Sequence, residues 1–149
     1  MTLSETTLDE LLSDETTRAA LIRDAEAVLD RRVAASRGMT GMAVRAGYAA
    51  FRRVQPGIVP SALRRLAPHF APVMDRHWAE ARTQAEPAAH FANQSSAIAA
   101  DLLAVTDGMA QRANSQVLAS IYTSLRGRAE HEVAAAMPEV ADLLQRHLG

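Results

Sequence analysis

Three arginines in one short stretch, Arg45, Arg52 and Arg53, are the side chains whose type and spacing come nearest to a chemical function. Arg45 and Arg52 stand seven residues apart, about two helical turns, so they share one side of a helix, and Arg53 adjoins the second of them. A guanidinium offers a rigid fork of donors that suits phosphate and carboxylate, which makes the three candidate anion-binding residues. They sit within residues 31–65, a segment holding eight arginines and no acid, a net of +8. Residues 1–30 hold eight acids and two arginines, a net of −6. Consecutive helices joined by a short turn usually pack side by side, so the plainer reading is that the two segments neutralise one another inside the fold. Exposed pairs of that kind contribute roughly 0–1 kcal/mol each. The functional reading is an anion-binding face.

Other chemistry is sparse. His77 and Glu80 lie three apart, and Glu86 and His90 four apart, so each pair can share a helix face. Two such pairs are a weak metal signal, surface histidine is the simpler account, and neither a metal nor any other cofactor is expected. There is no cysteine, which removes disulfides, thiol catalysis and cysteine metal sites. Glu-x-x-His, HExxH, GxSxG, the phosphate-binding P-loop and GxGxxG are all absent, and no residue is assigned a catalytic role. Tyr122 and Arg126, four apart, read as a tyrosine at the core's edge and an arginine favouring a helix end; a polar pair lining a pocket is the alternative. Trp78 reads as a core anchor. A helix ending near Ser36, the turn Gly38–Gly41 and an arginine-bearing helix resemble a helix-turn-helix, but the net charge is −1 and the pI 6.5, where DNA-binding domains of this kind usually exceed about 9. An ordinary helical hairpin is the better reading, and nucleic acid is not the expected partner.

The elements that position these residues are helical throughout. The 149 residues include 31 alanines and only six aromatics, and no run of alternating β-branched residues occurs. This predicts an all-α, compact single-domain bundle of about six to eight helices spanning residues 1–149. Leu8, Leu11 and Leu12 mark a short opening helix, and Asp14 caps a second with Ile22, Ala25, Leu29 and Val33 inward. Thr40 caps a third helix running to about Val54, before a type II turn at Val54–Gly57. Pro60 opens a short helix, and the next starts at or between Pro68 and Pro72, with Phe70, Val73, Met74, Trp78 and Ala81 inward. After a break at Pro87, a helix from Ser95 carries Ile98, Leu102, Val105 and Met109. Another from Ser115 buries Val117, Leu118, Ile121, Tyr122 and Leu125 and ends at Gly127. Two shorter helices split by Pro138 close the chain. No apolar run is long enough to span a membrane, and the acidic N-terminus has neither the basic nor the apolar part of a signal peptide. A cytoplasmic location is expected, and the all-arginine, alanine-rich composition fits a GC-rich bacterial genome.

Three strings, RGMTGMAVRAGYAAFRRVQPGIVP (Arg37–Pro60), LLAVTD (Leu102–Asp107) and YTSLRG (Tyr122–Gly127), resemble in order and spacing a family of small, functionally uncharacterised α-helical actinobacterial proteins. The resemblance runs from about Leu11 to the end. It implies a helical fold and a bacterial cytoplasmic setting, and it brings no catalytic residues.

The function expected from these observations is a non-enzymatic helical domain that acts by docking another protein or by self-association, the acidic 1–30 segment of one copy meeting the basic 31–65 segment of another. The first alternative is a small-molecule or lipid carrier with an internal pocket near Met42, Met74 or Met109. The second is an enzyme whose anionic substrate is held by Arg45, Arg52 and Arg53 beside a base such as His77 or His69.

Overall fold

The computed structural model describes residues 6–112 and 116–149, and among them every regular element is an α-helix. Seven helices run α1 (Leu8–Leu12), α2 (Glu15–Ala35), α3 (Gly38–Val54), α4 (Ile58–Ala81), α5 (Pro87–Asn93), α6 (Ser95–Arg112) and α7 (Gln116–Leu148). No helix among the described residues is long and apolar enough to cross a membrane. Asp14 caps α2 as its sequence position predicts, accepting from the Thr17 amide at 2.9 Å and from the Thr17 hydroxyl at 2.7 Å. Gly57 has φ 83° and ψ 3°, the third-position geometry of a type II turn, which a side chain there would strain.

The boundaries differ from the sequence reading at the prolines. Pro60, Pro68 and Pro72 all lie within one unbroken helix, α4, and Gly127 and Pro138 lie within the 33-residue α7. Each interior proline removes one backbone hydrogen bond from its helix. Pro68, Pro72 and Pro138 face solvent, so water can satisfy the carbonyls they release while packing on the opposite side carries the helix through. Likewise α3 starts at Gly38, two residues before the expected cap at Thr40, and α5 uses Pro87 as its first residue. The expected helix start at Ser115 and the inward side chains Val117, Leu118, Ile121 and Leu125 lie outside the described residues.

The core forms where α4, α5, α6 and α7 meet. Trp78, Phe91, Ile98, Met137 and Leu144 are its largest fully buried side chains, and Trp78 meets Phe91 edge to face with ring centroids 5.7 Å apart. Buried alanines at 71, 81, 99 and 141 let these helices approach closely. α2 lies along α7 and is tied to it by Arg31–Glu139 at 2.9 Å, Arg32–Glu132 at 3.6 Å and His147–Asp24 at 2.7 Å. α1 covers a seam between α2 and α4, its first amides bonded to Asp75. α3 packs on α2 and, at its far end, on α4, and its only fully buried residue among those described is Gly41.

Candidate functional site

α3 is amphipathic, and it is mounted with its polar side inward. Gly41, Arg45, Tyr48 and Arg52 recur at spacings of four, three and four, which places them in one stripe. That stripe faces α2. Arg52 donates to Glu26 at 2.8 Å, to Asp30 at 2.7 Å and to the Tyr48 hydroxyl at 2.7 Å, while Tyr48 donates to Asp30 at 2.7 Å. The Arg52 guanidinium also lies 4.8 Å from the centre of the Tyr48 ring. Arg45 donates to the Ser36 carbonyl at the end of α2. These contacts raise the Arg52 pKa, chiefly through the Tyr48 hydroxyl and Glu26, and the Tyr48 hydroxyl is raised by burial and by its bond to Asp30.

The opposite stripe is apolar and faces solvent. It carries Met39, 90% exposed, Met42, 63% exposed, and Val54, 81% exposed, with Ala43, Ala46 and Ala50 exposed between them. A lone exposed methionine needs no explanation, but a contiguous apolar stripe along a whole helix does. Arg53 is on this outward side and Arg37 just precedes the helix; both are exposed and have no carboxylate partner among the described residues.

The three candidate arginines therefore do not converge on one anion. Arg45 and Arg52 hold α3 onto α2, and Arg53 is exposed on the other side. The acidic and basic segments do meet inside the chain, through Glu26 and Asp30 with Arg52, as the plainer sequence reading expects. The same contacts occupy Arg45, Tyr48 and Arg52, which could otherwise have donated to DNA. His77, the candidate base, bonds Asp101 of α6 at 2.7 Å, and His69 is exposed on α4. Among the described residues no three His, Asp or Glu side chains gather as a metal site would need.

A second polar cluster was not read from the sequence as a unit. Tyr122 donates to Asp107 and lies 2.7 Å from the Thr106 hydroxyl, and Arg126 grips the same carboxylate at 2.8 and 3.2 Å. Arg126 holds the Asp107 carboxyl below its ordinary range, and burial pushes the Tyr122 hydroxyl up. The cluster lies between two shallow grooves. One is lined by apolar residues of α4, α6 and α7, including Leu66 and Met109, with Arg65 at its edge; the other contains Asp107 and Arg126. Thr106 and Asp107 close the string LLAVTD, while Tyr122 and Arg126 come from YTSLRG, so two of the three familiar strings meet here. The signal in the sequence was the pair Tyr122 and Arg126, four apart, with Thr106 and Asp107 adjacent in the string LLAVTD.

Both clusters fall within a match to a family model, which spans residues 8–148 and so takes in all seven helices. Its description is a family of unknown function (DUF6918). The chain belongs to that family. No curated protein and no solved structure matches the chain. Membership agrees with the resemblance drawn from the three strings, and it assigns no activity to α3 or to the Asp107 cluster.

Proposed function

We propose that this chain is a non-enzymatic, cytoplasmic, single-domain helical protein of actinobacterial type that docks an acidic amphipathic helix of another protein onto the outward stripe of α3. One observation carries the reading: α3 turns its arginine and tyrosine stripe toward α2 and leaves its methionine, alanine and valine stripe open. Alanines at 43, 46 and 50 give a flat surface on which a second helix can lie close, and Met39, Met42 and Val54 are the side chains that can interlock with it. The partner is acidic because residues 31–65 contain no acid and because Arg53 and Arg37, at the two ends of the stripe, have no carboxylate partner among the described residues. Anion recognition thus passes from the trio Arg45, Arg52 and Arg53 to Arg53 at the end of the helix, with Arg37 at its start.

Self-association has less in its favour. Two α3 stripes facing each other would bring two acid-free segments together. The alternative contact between the 1–30 and 31–65 segments has already lost Glu26, Asp30, Arg31, Arg32 and Arg52 to bonds within the chain.

The test is calorimetric titration of the protein with a synthetic amphipathic helix of leucine and glutamate, beside the Met42→Asp variant and with light scattering on the protein alone. Saturable binding that weakens with added salt and is lost in Met42→Asp supports the reading. Absence of binding, binding that Met42→Asp leaves intact, or a dimer that Met42→Asp dissolves would each overturn it, the last in favour of a second copy as occupant.

A further inference from the structure

Between α1, α2, α4 and α7 the structure holds a partly open apolar pocket of about 160 Å³. Its walls include Ile22 of α2, Phe70 and Met74 of α4 and Val140 of α7, with Leu8 and Leu12 of α1 along one side. Of the three methionines considered for an internal pocket, Met74 lines it; Met42 is on the exposed stripe and Met109 on a surface groove. Every lining side chain is apolar. Close-packed interiors carry few voids larger than a water molecule, and a buried water needs two to four polar partners, which these walls do not supply. A dry apolar cavity of roughly 150 Å³ is large enough for benzene.

α1 is the shortest element of the fold. It has five residues, attached by the buried Leu8, by Leu11 and Leu12 packed against the core, and by a few polar contacts. The Leu8 amide donates to Asp75 at 2.7 Å, the Asp9 amide donates to the other Asp75 oxygen at 3.2 Å, and Arg82 donates to the Thr6 carbonyl at 2.9 Å. Asp75 lies on α4, one residue after Met74 in the pocket wall, so a single carboxylate holds the start of α1 beside that space.

We propose that the pocket beside α1 binds a small uncharged hydrocarbon group, an aromatic ring or the end of a short alkyl chain, and that α1, held by Asp75, governs how fast it enters. The absence of any polar lining group excludes a charged or strongly hydrogen-bonding ligand, which would be desolvated there without compensation. This site is independent of the α3 stripe and stands or falls apart from it.

The experiment is a titration of full-length, methyl-labelled protein with benzene and, separately, with 1-hexanol, followed by NMR at the methyl groups of Leu8, Leu12, Ile22 and Val140. Saturable shifts confined to the cavity methyls are expected, and the probe giving the tighter binding says whether the site prefers a ring or a chain. Ala67→Leu, which builds into the cavity from α4, is expected to weaken binding at least tenfold. Asp75→Ala is expected to speed probe exchange while leaving the saturated spectrum unchanged. No saturable shift with either probe in the unaltered protein overturns the site, whether or not the variants fold. An exchange rate untouched by Asp75→Ala overturns the role of α1.

Discussion

Arg52 of α3 donates to Glu26 of α2 at 2.8 Å, across 26 residues of chain, and this contact turns α3 over. With its cation bonded to α2, the helix must present its other side, the apolar one, to water. The arrangement is stable because Arg52 also reaches Asp30 and Tyr48, so one partly exposed guanidinium satisfies three oxygens in a single cluster. Replacing Arg52 with Met should lower stability modestly, since charge-assisted bonds are lost at a site that is partly exposed to solvent. The more telling readout is local. Amide exchange should accelerate along α3 while α4, α5 and α6 keep their protection; equal acceleration everywhere would show that α3 is not held independently of the core.

Gly41 supplies the second fastening. A Cβ there would lie 2.5 Å from the Ser36 carbonyl carbon and 2.7 Å from its oxygen, both backbone atoms that cannot swing aside. Gly41→Ala should therefore displace the start of α3 and destabilise by about 1–3 kcal/mol, although alanine is the better helix former in isolation. Chemical denaturation checks this, and a stabilised variant would mean that α3 does not pack against Ser36.

Stability should fall on the acid side through identifiable carboxylates. Asp101 is held low by its bond to His77 and also by Arg76, and Asp107 by Arg126 and Tyr122. A carboxylate depressed in the folded state stabilises above its unfolded pKa of about 3.9, and that contribution is lost as pH falls through the lower folded value. Asp107→Asn should thus lower the Tm at pH 6, and the gap from the unaltered protein should close as pH drops below about 4. Thermal melts from pH 2.5 to 6 decide it, and a gap independent of pH would remove the charge from the explanation.

Tyr48 and Tyr122 set the opposite limit. Burial and the neighbouring carboxylates raise both hydroxyls, so their contribution is complete below about pH 10 and is lost only as pH rises through the higher folded values. Tyr122→Phe should cost about 1 kcal/mol at neutral pH, the loss of one hydroxyl's bonds at the Asp107 cluster. It should also flatten the alkaline decline measured by the same melts. An unaltered decline would assign it to other groups.

The helical class and several inward residues of α4 and α6 were legible because apolar residues at helical spacing faced the core: Val73, Trp78, Ile98 and Leu102 are buried where their spacing placed them. In α2 only Ile22 of the four expected residues is buried, beside Leu21 and Val28, and Ala25, Leu29 and Val33 are half-buried. The unbroken helices α4 and α7 were not legible, because a proline marks a break only when its lost hydrogen bond cannot be made good by packing and solvent. The orientation of α3 was hidden for a different reason. Periodicity divides a helix into two sides but does not say which one is packed, and the partners that decide it, Glu26 and Asp30, lie in another helix. The Asp107 cluster was half visible, since Tyr122 and Arg126 were noticed as a pair while the carboxylate they share came from α6.

The most direct test of the outward stripe is limited oxidation by hydrogen peroxide, read methionine by methionine by mass spectrometry on dilute protein. Oxidation follows exposure, so Met39 and Met42 should convert first and Met137, only 2% exposed in the core, last. The acidic amphipathic peptide should then protect Met39 and Met42 without slowing Met137. If Met39 and Met42 resist oxidation as strongly as Met137 in the free monomer, α3 packs its apolar side inward, and the docking surface proposed for it does not exist.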